Sequence, residues 1–158
     1  MASYDRKFDV VRPSLDRLVR TPLEVADAAL INPQNANAII DGEFVTHDAN
    51  YKFIRATDPA LPCFATLEWR GDYGVQASKK LSTLYIGGYE ADTLVFDPTT
   101  LTLGSPLMLG TVNTAATGSV NRSGIVDHDA VATKLVLGYV TRLPATNGNR
   151  LRFLQVMV

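Results

Sequence analysis

A short apolar run with one glycine occurs twice in this chain of 158 residues. Residues 107–112 read LMLGTV and residues 135–140 read LVLGYV, and polar, turn-forming residues flank both copies. Short apolar runs of this kind are typical of buried β-strands. A glycine inside a strand marks a bulge, a sharp bend or a close approach of two backbones. The repeat therefore predicts a small, curved antiparallel sheet, closed as a barrel or folded as a compact sandwich.

The short-strand pattern continues through most of the chain. Asp41-Gly42 separates two apolar runs, which is a strong hairpin signal. Asn147-Gly148 predicts the turn of a second hairpin at the carboxyl-terminal end. No long helical pattern alternates with the strands, which argues against a parallel α/β sheet. We therefore predict an all-β fold whose barrel-like body spans residues 36–158.

The first 35 residues differ from this body, and two interpretations of them stay open. Thr21-Pro22 with Glu24 satisfies the capping-box pattern and predicts a short helix at residues 21–30. Alternatively, residues 1–35 form an extended arm that becomes ordered on a partner. The apolar residues of this segment are candidates either to bind a partner or to pack on the body: Phe8, Val10, Val11, Leu15 and Leu18.

Charge and cysteine content exclude several classes of protein. The net charge is −1, and no basic stretch is longer than Lys79-Lys80, so we expect no nucleic-acid partner. Cys63 is the single cysteine, which rules out an intrachain disulfide and fits synthesis in a reducing cytoplasm. The first residues do not resemble a signal peptide, and no apolar window is long enough to span a membrane. The sequence thus predicts a soluble protein with no membrane partner.

Polar clusters that could support catalysis or metal binding are few. Asp127-His128-Asp129 is the densest of them, but neighbouring strand residues point to opposite faces, and no further ligand follows at a recognisable spacing. Cys63 has no nearby base. We therefore predict no enzyme activity, no metal and no cofactor. An aromatic stacking platform is a weaker hypothesis than a core role for the following residues: Trp69, Tyr85, Tyr89, Phe96, Tyr139 and Phe153.

Several stretches, taken together and in order, resemble a known family. They are residues 36–44, 84–93, 107–112, 123–126 and 136–144. The pattern from residue 36 to 158 resembles the decoration (cement) proteins of tailed-bacteriophage capsids. In that family a β-rich body sits on the outside of the shell, and an arm or loops reach onto neighbouring subunits.

The resemblance implies a structural virion protein on the outer surface of the phage head. Its partner would be the major capsid protein, and binding would stabilise contacts between capsid subunits. We also expect a symmetric homo-oligomer, with a trimer favoured and a dimer possible. The family brings no catalytic residues. The alternatives are a phage tail or baseplate component and a carbohydrate-binding β-module.

Overall fold

The computed structural model describes residues 7–12, 20–32, 34–67, 80–84 and 88–156. These residues form a mainly β fold, with three short 3-10 helices and no α-helix within the described ranges. The strands are β1 Phe8–Arg12, β2 Arg20–Glu24, β3 Phe44–His47, β4 Phe53–Arg55, β5 Phe64–Leu67, β6 Lys80–Leu84, β7 Glu90–Thr93, β8 Pro106–Val112, β9 Arg122–Asp127, β10 Gly138–Arg142 and β11 Leu151–Gln155. The 3-10 helices are Ala28–Ile31, Ala115–Thr117 and Pro144–Thr146.

The strands form two antiparallel sheets. The six-stranded sheet has the order β1-β7-β11-β10-β8-β9, and the five-stranded sheet has the order β2-β6-β5-β3-β4. One apolar core includes buried side chains from both sheets: Phe8, Ala91, Leu107, Leu109, Val140, Leu151 and Phe153 from the first, and Phe44, Ala65 and Leu84 from the second. This shared core confirms the all-β prediction in its sandwich form.

The five-stranded sheet is strongly curved. Val25, directly after β2 at one edge, forms an isolated parallel bridge with Phe53 in β4 at the other edge. Inside the curve, Phe53 and Val45 form a small second core. A single bridge does not close the sheet, so the barrel alternative is wrong.

The repeated glycines mark close approaches between strands. β8 pairs with β9 at every residue from Leu107 to Val112, without a bulge at Gly110, where an added Cβ would lie 2.6 Å from Val126. In the second copy the strand begins only at Gly138, so residues 135–137 precede β10. A Cβ at Gly138 would collide with the backbone carbonyl oxygen of Leu154. The close approach joins two backbones at Gly138, whereas at Gly110 it joins the backbone to the side chain of Val126.

Two predictions for the amino-terminal segment are wrong. Residues 21–30 do not form one helix, because β2 pairs with β6 along its whole length and only the short 3-10 helix that begins at Ala28 is helical. Pro22 suits a first helical turn, but it suits an edge strand equally well because no partner needs its missing N–H. The separation of residues 1–35 from the body also fails, since β1 and β2 belong to the two sheets.

Replacement of Gly138 by alanine tests the close approach. We expect Gly138→Ala to lower the free energy of unfolding by at least about 2 kcal/mol, because β10 and β11 must separate to admit the methyl group. Gly148→Ala is the control, since its Cβ would meet no atom and only its φ of +60° opposes the change, at a cost of roughly 1 kcal/mol. Urea unfolding measures both, and equal losses would contradict the close approach.

Candidate partner-binding site

A fully buried carboxylate lies where the two sheets meet. Glu43 directly precedes β3 and has 0% of its surface exposed. One of its oxygens accepts the backbone N–H of Ile40 at 2.8 Å, and the other accepts that of Ser123, in β9, at 3.1 Å. Burying a carboxylate without such donors would be very costly, so these contacts offset its desolvation.

Two arginines complete a buried charge cluster with Glu43. The Arg55 Nε, in β4, donates to Glu43 Oε1 at 2.9 Å, and the Arg122 Nη1, in β9, lies 3.3 Å from Oε2. Because β4 and β9 belong to different sheets, the carboxylate joins the two layers through charged hydrogen bonds. The Ser123 hydroxyl adds a link between the same layers by donating to the carbonyl of Ala56.

The same arginines hold a surface loop, residues 34–38, which we call the braced loop. Arg55 donates through Nη2 to the carbonyl of Asn37 at 2.6 Å. Arg122 donates to the carbonyl of Ala36 at 3.0 Å and also to that of Ala38. Three successive carbonyls of the loop therefore point inward at two guanidinium groups, which fixes the loop relative to both sheets.

The buried charge cluster makes a quantitative prediction about stability. Glu43→Gln should lower the free energy of unfolding by about 3 kcal/mol, because two arginine charges lose their counterion in a largely buried place. Glu24→Gln is the matched control, since Glu24 pairs with Lys52 at 3.8 Å on the surface, and it should change the value by less than about 0.5 kcal/mol. Denaturant titration gives both numbers. A small loss for Glu43→Gln would mean that the cluster does not hold the layers together.

The outer face of the six-stranded sheet carries an apolar strip. Side chains alternate along its strands, so the neighbours of core residues point away from the core. Tyr139 and Leu154 are register partners on β10 and β11, with 42% and 40% of their surfaces exposed. Pro106 is the register partner of Tyr139 on β8 and is also exposed. We define the apolar strip as these three side chains.

Charged side chains border the apolar strip. Glu90 is the register partner of Leu154, and its carboxylate accepts a hydrogen bond from Thr141 at 2.6 Å. Asp92 forms a two-point ion pair with Arg152, at 2.8 and 3.0 Å. An apolar centre with a polar rim is the usual arrangement of a protein–protein interface.

The pKa of Asp92 reflects this ion pair. Burial by itself raises the pKa, but hydrogen bonds from Arg152 and Asn147, together with the charges of Arg152 and Arg150, hold it below its ordinary value of 3.8. A carboxyl group with a lowered folded-state pKa stabilises the fold above its unfolded-state pKa, and this stabilisation is lost as pH falls through the folded-state pKa.

We therefore expect stability to fall on acidification partly through Asp92. Below pH 3.8 the free energy of unfolding of the unmodified protein should decline more steeply than that of Asp92→Asn, which has no carboxyl group to protonate. Urea unfolding at a series of pH values gives the two slopes. Identical slopes would show that the ion pair of Asp92 does not contribute to the acid sensitivity.

The predicted arm residues that the structure describes are buried or half-buried, rather than exposed for a partner. Phe8 and Val10 in β1 are 1% and 9% exposed and belong to the core, so the prediction that they bind a partner is wrong. Their alternation with polar residues fits a strand whose one face is covered by the other sheet. Val11 is half-buried beside them. Leu15 and Leu18 lie outside the described residues.

Asp127, His128 and Asp129 do not converge on one point. Thr100 donates a hydrogen bond to Asp127, while the ring nitrogens of His128 contact the backbone of Ala130 and Lys134. Asp129 forms an ion pair with the side chain of Lys134. Asp127 therefore holds a segment before β8, whereas His128 and Asp129 organise the loop after β9. In the ranges that the structure describes, no group of three His, Cys, Asp or Glu residues could hold a metal ion.

Cys63 and three of the aromatic residues have core environments, whereas Tyr139 is 42% exposed on the apolar strip, so the core role favoured for it is wrong. Burial raises the pKa of the Cys63 thiol to about 12, so the thiolate that nucleophilic chemistry requires does not form near neutral pH. Tyr89 is fully covered and donates to Gln155 at 3.1 Å, and its ring makes edge contacts with Phe153. Phe96 is also buried. Trp69 and Tyr85, the remaining members of the predicted platform apart from Tyr139, lie outside the described residues.

Local sequence patterns contain little indication of the buried charge cluster. Glu43 stands beside the apolar pair Phe44-Val45, and a charge next to such a pair is the available local signal. Its partners Arg55 and Arg122 are 12 and 79 positions away along the chain, which local patterns do not connect.

Comparisons with known proteins add no information on function, so a functional proposal rests on the fold and on the geometry described above. The chain matches no protein-family model, no curated protein and no solved structure. Within the described ranges, no helix has the length and apolar character needed to cross a bilayer.

Proposed function

We propose that this β-sandwich protein is a capsid decoration protein of a tailed phage. It binds the outer surface of the head and stabilises contacts between major capsid subunits. The sequence resemblance over residues 36–158 supports this proposal. So does the use of Asp127, His128, Asp129 and Cys63 in structural contacts, which leaves these groups without a catalytic arrangement.

The apolar strip is the observation that carries the proposal. Tyr139, Leu154 and Pro106 lie side by side on three neighbouring strands, so their positions are fixed before any partner arrives. Exposed apolar residues grouped in this way on a soluble protein mark interaction sites, and tyrosine is frequent among the residues that dominate binding energy. We assign this face to the capsid shell.

The action of such a protein follows from mass action. A protein that binds the assembled shell but not the separated subunits stabilises the assembled state in proportion to the logarithm of its concentration over its dissociation constant. No bond needs to be made or broken. The symmetric homo-oligomer, trimer or dimer, and the position on the virion surface stay predictions.

Removal of the apolar strip tests the proposal. The unmodified protein should bind purified capsid shells from which it has been stripped, and Tyr139→Ser combined with Leu154→Ser should weaken binding at least about tenfold. Tyr51→Ser is the matched control, because Tyr51 is 78% exposed but follows β3 in the other sheet. Co-sedimentation with shells measures all three proteins. If the double variant and the control bind equally well, the apolar strip is not part of the interface.

A carbohydrate-binding module is the second candidate, and Tyr51 is the observation that favours it. Its ring is 78% exposed in a left-handed turn with φ of +58°, beside the ring of His47 at 6.3 Å. Sugar rings stack on exposed aromatic faces of this kind. Saccharide binding that is lost in Tyr51→Ser, with no shell binding by the unmodified protein, would favour this candidate.

A further inference from the structure

We infer that the braced loop, residues 34–38, is a second contact surface, which binds an uncharged, hydrogen-bonding part of a neighbouring capsid subunit. This inference rests on the proposed attachment to the shell and adds a site to it. Gln34, Ala36 and Asn37 are the exposed members of the loop. With the apolar strip, the loop would give one rigid body two points of attachment.

The way the loop is held supports this inference. The contacts of Glu43 with the arginines already link the two sheets without involving the loop. The arginines additionally donate through their terminal Nη groups to the carbonyls of Ala36, Asn37 and Ala38. The loop is therefore ordered before any partner binds. Preordering lowers the entropy cost of association, which is a common property of binding loops on a rigid scaffold.

The outward chemistry of the loop indicates what it would bind. Its backbone N–H groups are mostly used internally: those of Gln34 and Asn35 donate to Asn32, and those of Asn37 and Ala38 donate to Asn35. Because these N–H groups and the inward-pointing carbonyls already have partners, the side chains are the main groups that can contact another protein. The amides of Gln34 and Asn37 both donate and accept hydrogen bonds, and residues 34–38 carry no charge. A neutral, hydrogen-bonding protein surface is the matching partner.

The two contact surfaces are well separated. Arg122, which holds the loop, is the first residue of β9, whereas Asp127 at the other end pairs with Leu107 beside the apolar strip. Five residues of strand span about 16 Å. Surfaces this far apart on one body can touch two different capsid subunits, so binding through both would clamp neighbours together, with the gain in avidity that two linked contacts provide.

Single alanine substitutions test the inference without disturbing the brace. Gln34→Ala and Asn37→Ala should each weaken binding to stripped shells about threefold to tenfold, as expected for one lost hydrogen bond. Their melting temperatures should stay unchanged. The weakening should be the same at low and high salt, because the loop is uncharged. Asn50→Ala, at another exposed turn, is the matched control and should bind like the unmodified protein.

The outcomes separate the two proposals. If the unmodified protein does not bind shells, the decoration function fails, and the loop site fails with it. If it binds but Gln34→Ala and Asn37→Ala bind equally well, the loop site is overturned while the decoration function stands. A weakening that disappears at high salt would also overturn the neutral contact proposed here.

A variant of the brace tests the preordering separately. Arg55→Lys keeps a positive charge near Glu43 but lacks the planar fork that reaches both Glu43 and Asn37. Amide hydrogen exchange in residues 34–38 should become faster, and shell binding should weaken severalfold. Faster exchange with unchanged binding would show that the order of the loop is irrelevant to attachment.

Discussion

The buried pairing of Glu43 with Arg55 and Arg122 is the interaction on which the rest of this structure depends. It joins β4 of one sheet to β9 of the other, and it fixes the loop between the first 3-10 helix and β3. Burying three charges carries a large desolvation cost, which only dense hydrogen bonding offsets. The shared apolar core also joins the layers, so the cluster fits an additional role in defining one arrangement of the loop. That rigidity connects the fold to the proposed binding.

Local sequence patterns were sufficient for the strands that pair with close neighbours in the chain. The C-terminal hairpin around Asn147-Gly148 and the glycine-containing strand β8 follow directly from turn chemistry and apolar runs. β1 and β2 could not be predicted in this way. Phe8 pairs with Thr93, and Thr21 pairs with Thr83, so their strand conformation comes from distant partners. At Thr21-Pro22 this tertiary pairing overrode a clear helical capping signal.

The candidate site was predictable only in part, for a related reason. The sequence favoured a core role for Tyr139, but Tyr139 and its register partner Leu154 lie on the exposed face of β10 and β11. Asp127-His128-Asp129 attracted interest because its polar residues are adjacent, yet adjacency in a loop leads here to three separate structural contacts. No local pattern distinguishes the amide-rich loop at residues 34–38, because the arginines that brace it lie elsewhere in the sequence.

The proposed function is tested most directly by the number of copies of this chain in purified phage particles, relative to the major capsid subunit. Quantitative peptide mass spectrometry gives this ratio. A decoration protein that covers the shell lattice should be present at a ratio of the order of one to one. A few copies per particle would instead place the chain in the tail or at a vertex. Its complete absence from particles would contradict the virion role and favour the carbohydrate-binding alternative.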